Sequence, residues 1–287
     1  MPRIIDLTLP LDNTLQGVSI EPAKTIEKDG WNATTLHLYS HCGTHMDAPT
    51  HFGVSDRTLD QISLDRCIGP AWVVDPIGEE GGHGTLYERA LIRVGDLGPT
   101  ADRIQMGDGL LLRTGWSRCV GTPAYRDKLP RVSLELAHWC VARGVRMLGV
   151  EPPSVADVNN LEELTAVHKV LLQAGVVIVE GLANLDQIRG ERVTFIALPL
   201  RVAGGDGAPV RALALEDQPE EELTYETGLL SSRRRVDAHQ DVDQQRHTAG
   251  GGSGDCRRGD GVHAESLLYV EDAESRGGRG SCAGSAG

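Results

Sequence analysis

The sequence has few aromatic side chains, no cysteine pair in a C-x-x-C arrangement, no excess of basic charge, and no apolar run near the ~20 residues of a membrane span. Each absence removes a class of protein. The six cysteines (42, 67, 119, 140, 256 and 282) are too few and too scattered over 287 residues for a disulfide framework, so reduced thiols are expected. A formal net charge of −13 opposes a phosphate backbone, and nucleic acid is not an expected partner. The amino terminus, Met1-Pro2-Arg3-Ile4-Ile5-Asp6, lacks the apolar core of a secretory signal, so a cytoplasmic protein without a membrane partner is expected. What remains, with 40% hydrophobic and 24% charged residues, is a globular composition long enough to build a substantial core.

The chain changes character near residue 217. From Asp217 onward there are 14 acidic and 8 basic residues, and residues 249–287 hold 11 of the 35 glycines with little apolar periodicity. Such a stretch buries too little surface to offset its ordering entropy. The expected organisation is one domain over 1–216 and a disordered extension over 217–287.

Within 1–216, residues 23–28 and 34–40 flank Asp29-Gly30 and read as a hairpin. Residues 109–113 read as a buried strand, 133–143 as a helix stopped by Gly144, and 145–150 as a strand. The pattern repeats: Asn160 and Glu163 mark a helix start, 161–174 carries the helical period, Gly175 ends it, and 176–179 and 193–200 read as strands. Early strands followed by β-α-β-α-β give a mixed α/β domain.

Residues 41–52 read H-C-G-T-H-M-D-A-P-T-H-F, with three histidines and an aspartate in a short span. Imidazole and carboxylate are ligands for zinc or manganese, and a set without cysteine suits a catalytic site. Gly43 and Pro49 disfavour a regular helix, so His41, His45 and Asp47 read as a loop wrapping one point. His168 shares its helix face with Leu161, Leu164, Leu171 and Leu172 and points inward. Glu180 leaves a buried apolar strand, where a carboxylate is costly unless paired, protonated or bound to metal. Taken singly, the histidine reads as hydrogen-bonded core and the glutamate as the partner of an arginine. Together they belong to a helix-turn-strand unit that can bring a helix face and a strand end to one site. Trp116, at a strand end, reads as packing or as a pocket wall.

The run from His41 to Phe52 closely resembles the H-x-G-T-H-x-D-x-P-x-H-F signature of the metal-dependent cyclase-like hydrolases, the superfamily of bacterial kynurenine formamidases and isatin hydrolases. The resemblance continues through Ile5-Asp6-Leu7, Leu111-Leu112-Arg113-Thr114, Leu148-Gly149-Val150, Pro153-Ser154-Val155, Ala197-Leu198-Pro199-Leu200 and Gly207-Ala208-Pro209-Val210-Arg211-Ala212, and it leaves the tail uncovered. It implies a swivelling β/β/α domain with a mixed sheet or barrel-like core. It also implies a site of one or two Zn2+ ions, or Mn2+ instead, held by His41, His45, Asp47, His168 and Glu180. His51 is implied as the catalytic proton-transferring residue, and a homo-oligomer, dimer or tetramer, as the assembly. The expected reaction is hydrolysis of an amide-type C–N bond in a small molecule, a formamide or cyclic amide beside an aromatic ring. A lactonase, cyclase or dehydratase on the same centre, or a non-catalytic metal-binding homologue, is the alternative. Kynurenine formamidases resemble one another in a W-P-G-D segment that helps hold the aromatic substrate, and Leu15-Gln16-Gly17-Val18 stands there instead.

Overall fold

Three short runs, Gly109–Leu112, Met147–Val150 and Val177–Glu180, are buried at every position. A strand covered on both faces suits a sheet with helices on one side and a second apolar layer on the other. That arrangement appears in the computed structural model, which describes residues 1–77 and 86–217. The expectation for the tail beyond Asp217 falls outside the described residues.

In chain order the strands are β1 (Arg3–Asp6), β2 (Val18–Lys24), β3 (Ala33–Leu38), β4 (His45–Asp47), β5 (Ile68–Val74), β6 (Leu91–Ile92), β7 (Gly109–Leu112), β8 (Arg131–Val132), β9 (Met147–Val150), β10 (Val177–Glu180), β11 (Arg192–Pro199) and β12 (Gly207–Glu216). The main sheet runs β1-β12-β11-β5-β7-β9-β10-β4, and β4 also pairs with β12. Seven strands therefore close on themselves into a mixed barrel-like sheet, with β1 added beside β4 on the outer edge of β12. The β5-β7-β9-β10 portion is parallel and the rest antiparallel.

Side-chain alternation divides the core in two. Leu111, Met147, Val177, Val179 and Met46 point into the barrel, where they meet Phe195 and Ala212. Leu110, Leu112, Leu148 and Ile178 point outward against Leu136, Leu171 and Leu172 of the two long helices, Leu134–Arg143 and Leu161–Gln173. Ser133 Oγ accepts from the Leu136 amide and Asn160 Oδ1 from the Glu163 amide, so both helices start at the expected caps. Glu180 is in register with Ile178 and faces this helical layer.

Three expectations change. The hairpin is formed by β2 and β3, with its first strand displaced toward the amino terminus, because residues 26–29 form a helical turn. Asp29 accepts from the Thr25 amide, and Asn32 Oδ1 from the Ile26 amide, which satisfies that turn locally and removes it from the ladder. The segment around His45 is a strand, not a free loop, paired on both edges. Leu161, the first residue of its helix, is 75% exposed, whereas Val167, His168, Leu171 and Leu172 are buried. Periodicity does not reveal strands β1, β5 and β12; β5 contains Gly69-Pro70, and β12 contains Pro209, residues that ordinarily argue against a strand.

Candidate metal centre

Because β4 is three residues long and its central Met46 fills the barrel, His45 and Asp47 must project from the opposite face. The register of β4 with β10 sets His45 directly across from Glu180, and its register with β12 sets Asp47 across from Gly207. The Leu161–Gln173 helix lies over the same face and supplies His168. Thr44 fixes the approach to β4: its hydroxyl donates to the Gly181 carbonyl at 2.5 Å and accepts from the Leu9 amide at 2.8 Å. Gly181 has φ +68, and a Cβ there would collide with the Gly43 carbonyl oxygen, so only glycine lets the exit of β10 lie against this loop.

The five residues expected to be ligands converge. His45 Nε2 is 3.2 Å from Glu180 Oε2 and 3.7 Å from Asp47 Oδ1. His168 Nε2 is 3.4 Å from Glu180 Oε1 and 3.6 Å from Asp47 Oδ2. His41 Nδ1 is 2.9 Å from Asp47 Oδ1. Donor atoms of His41, His45 and Asp47, and separately of Asp47, His168 and Glu180, lie within 4.8 Å of one another. Asp47 belongs to both groups, which suits a carboxylate able to bridge two ions. Among the described residues no arginine pairs with Glu180; its partners there are two histidines and the Val155 amide, which donates to Oε1 at 2.7 Å.

Two of the histidines are aimed by backbone carbonyls. His45 Nδ1 donates to Gly43 O at 3.1 Å, and His168 Nδ1 donates to Leu164 O at 2.7 Å, which turns both Nε2 atoms toward the carboxylates. Phe52 stacks on His168 with ring centroids 4.3 Å apart, closing that side with an apolar surface.

Burial and charge set the protonation. Burial favours a neutral His41 ring, but the hydrogen bond and charge of Asp47, reinforced by Asp206, raise its pKa to about 9. Burial likewise works against charge on His45 and His168, and Glu180 overrides it in both, raising them. Burial would raise Glu180, yet hydrogen bonds from His168 and His45 hold it well below the usual carboxylate range. The buried carboxylates thus demand positive charge, which protons or a cation can supply. Among the described residues Asp47 Oδ2 is buried without a hydrogen-bond partner, an orphan that a cation would satisfy. Histidine and carboxylate donors around that orphan fit a divalent transition ion.

His51 lies at the rim. Its ring stacks on His41 with centroids 3.8 Å apart, and its side chain is 25% exposed. Periodicity and composition gave no sign of Asp206, which the fold brings to the same rim, 3.1 Å from His41 Nε2 and 3.7 Å from His51 Nδ1 through Oδ2. The available signal was its position between Gly205 and Gly207, where the backbone can approach closely. An added Cβ on Gly207 would stand 2.6 Å from His41 Cε1. Leu15 and Leu11 lie against Gly43 in the ligand-bearing loop, so the substituted Leu15-Gln16-Gly17-Val18 segment borders the centre. Trp116 is buried and donates through Nε1 to the Tyr125 carbonyl at 2.9 Å, as packing requires. His37 and His138 are exposed and stand apart from the cluster.

Residues 5–157, which include the whole first ligand segment, match the Cyclase family. The chain belongs to the cyclase-like metal-dependent hydrolases. It is 33% identical over 190 residues to the kynurenine formamidase of Salinibacter ruber, covering 66% of this chain and 82% of that one. It is 31% identical over 217 residues to the kynurenine formamidase of Bacillus cytotoxicus, covering 73% and 95%. Isatin hydrolase A from Ralstonia solanacearum superposes with a TM-score of 0.66 at 26% identity, covering 75% of this chain and 92% of that structure. The five-residue cluster is the candidate metal centre, and the closed mixed sheet is the frame that assembles it.

Proposed function

We propose that this chain is a metal-dependent hydrolase of a non-peptide C–N bond, acting on a formamide or cyclic amide attached to an aromatic ring. The observation that carries the reading is Asp47, buried, shared by two ligand groups and orphaned at Oδ2. The relatives named for hydrolysis of kynurenine formamides and of isatin supply the reaction class.

His41, His45, Asp47, His168 and Glu180 would hold one or two ions, zinc by preference and manganese as the alternative. A divalent cation in that set supplies Lewis acidity, which polarises the substrate carbonyl and acidifies water. His51 then moves the protons. Burial, with the neighbouring His41 and His168 charges, lowers its pKa, which favours the neutral ring a general base needs. With Nδ1 facing Asp206, Nε2 is the atom that takes a proton from the attacking water and returns it to the leaving nitrogen. Leu15-Gln16-Gly17-Val18 in place of W-P-G-D, with Leu15 beside Gly43 of the ligand loop, favours a substrate different from that of enzymes carrying W-P-G-D.

The working unit is the domain over 1–216, with 217–287 outside the catalytic machinery. In support, this chain spans 82–95% of the first two relatives while they cover only 66–73% of it. A homo-oligomer is favoured by Trp31, Leu36 and Tyr39, large apolar side chains exposed on and beside the β2–β3 hairpin. A cytoplasmic setting fits the small-molecule chemistry, and among the described residues no helix is long and apolar enough to cross a membrane.

The test is metal analysis followed by a hydrolysis screen of formyl-anilides, isatins and lactones. Retained zinc or manganese with turnover of the first or second group is expected. Turnover of lactones alone would replace the C–N assignment, and protein that neither retains nor takes up a transition metal would end it.

A further inference from the structure

Each inward histidine has a tether on its other ring nitrogen, and for His41 the tether is Asp206. His45 uses the Gly43 carbonyl and His168 the Leu164 carbonyl. Among the described residues His41 meets carboxylates rather than a carbonyl: its Nδ1 meets Asp47 Oδ1 at 2.9 Å and its Nε2 meets Asp206 Oδ2 at 3.1 Å. For Nδ1 to offer a lone pair toward the group formed with His45 and Asp47, the ring proton must sit on Nε2, where Asp206 accepts it. A carboxylate in that place selects the tautomer and holds the ring plane.

The same oxygen faces a second ring, just beyond hydrogen-bond reach. His51 Nδ1 lies 3.7 Å from Asp206 Oδ2, and the His51 and His41 rings are stacked 28° from parallel. The backbone fixes where this oxygen stands: the Asp206 carbonyl accepts from the Ala48 amide at 2.8 Å, and the next residue pairs with Asp47. Asp206 is thus locked to the strand that carries two of the ligands, with its carboxylate at the solvent rim, 49% exposed.

We infer that Asp206 is a positioning residue that orients His41 as a metal ligand and His51 as a proton carrier through one carboxylate oxygen. The inference rests on the metal-hydrolase reading above, and the experiment separates the two. Zn2+ and Mn2+ affinities of metal-stripped wild type, D206N, D206E, H41A and the D206N/H41A double variant are measured by chelator competition, with kcat and KM at saturating metal.

D206N is expected to bind metal about 10–100-fold more weakly. The double variant should lose no more than H41A alone, because Asp206 acts through that ring. At saturating metal, D206N should keep a lower kcat with nearly unchanged KM, through His51, and D206E should recover part of both losses. Wild-type affinity in D206N would overturn the inference and leave the hydrolase reading standing. Additive losses in the double variant would overturn it too, by making Asp206 an independent ligand. If H41A does not fold, recovery in D206E against none in D206N supports the inference, and equal affinities in the two refute it. A wild type that binds no metal ends both readings together.

Discussion

Glu180 and His45 are directly opposed partners in the antiparallel ladder between β10 and β4, and their side chains meet at 3.2 Å. Cross-strand register, a property of the backbone, therefore places a carboxylate and an imidazole on one face at bonding distance. The helix that brings His168 to Glu180 lies over that ladder, so three elements share a single anchor.

Removing the charge of that anchor should empty the centre. Glu180→Gln keeps the volume but weakens both histidine contacts, and metal affinity is expected to fall at least about tenfold. Metal content after dialysis checks this, with His138→Ala, an exposed and remote histidine, retaining wild-type content.

His51 and His41 should separate catalysis from binding although their rings stack. His51→Ala is expected to retain metal while kcat falls by about 10²–10⁴, the usual contribution of a positioned acid–base group. His41→Ala should lose affinity and rate together, with part of the rate restored by added metal. Parallel metal titrations and turnover assays distinguish them; equal metal loss in both variants would make His51 a ligand.

Gly207→Ala tests the close approach behind His41. The new Cβ would stand 2.6 Å from His41 Cε1 and 2.9 Å from the Met46 carbonyl oxygen, so the ring or the strand must shift. Weakened metal binding with a destabilisation of about 1–3 kcal/mol is expected, read by chelator competition and thermal unfolding. An unchanged affinity would mean that the ring tolerates displacement.

Glu216 gives a pH test remote from the centre. Burial would raise its pKa, but the Gly190 and Arg189 amides and Arg3 outweigh burial and lower it. Its contribution is present in full above the ordinary value of 4.5 and is lost as pH falls through the lower folded value. Wild type should therefore exceed Glu216→Gln in Tm at neutral pH, and the gap should close in acid. A constant gap across that range would refute the assignment.

The candidate cluster was legible in part, because His41, His45 and Asp47 crowd one short segment, whereas His168 and Glu180, which singly read as core and as an ion-pair partner, join them only through the helix-turn-strand unit. Asp206 was not, because a lone aspartate among glycines shows chemistry only when the fold sets it beside two rings. Strand β4 escaped because three residues are too few to display alternation. Strands β5 and β12 escaped because Pro70 and Pro209 disguise them, and the hairpin was displaced because Asp29 and Asn32 side chains stabilise a local turn that propensity alone does not reveal.

Barrel closure through β4 and β12 also sets an order of events during synthesis. His41, His45 and Asp47 leave the ribosome early, yet the strand that locks β4 in place, β12 at Gly207–Glu216, comes last among the described elements. Contacts so distant in sequence carry a large loop-closure cost and form late. A nascent chain that has not yet exposed β12 would offer a cation only a fragment of the candidate cage, so complete loading waits on closure of the barrel, which the residues after Glu216 leave time for before release.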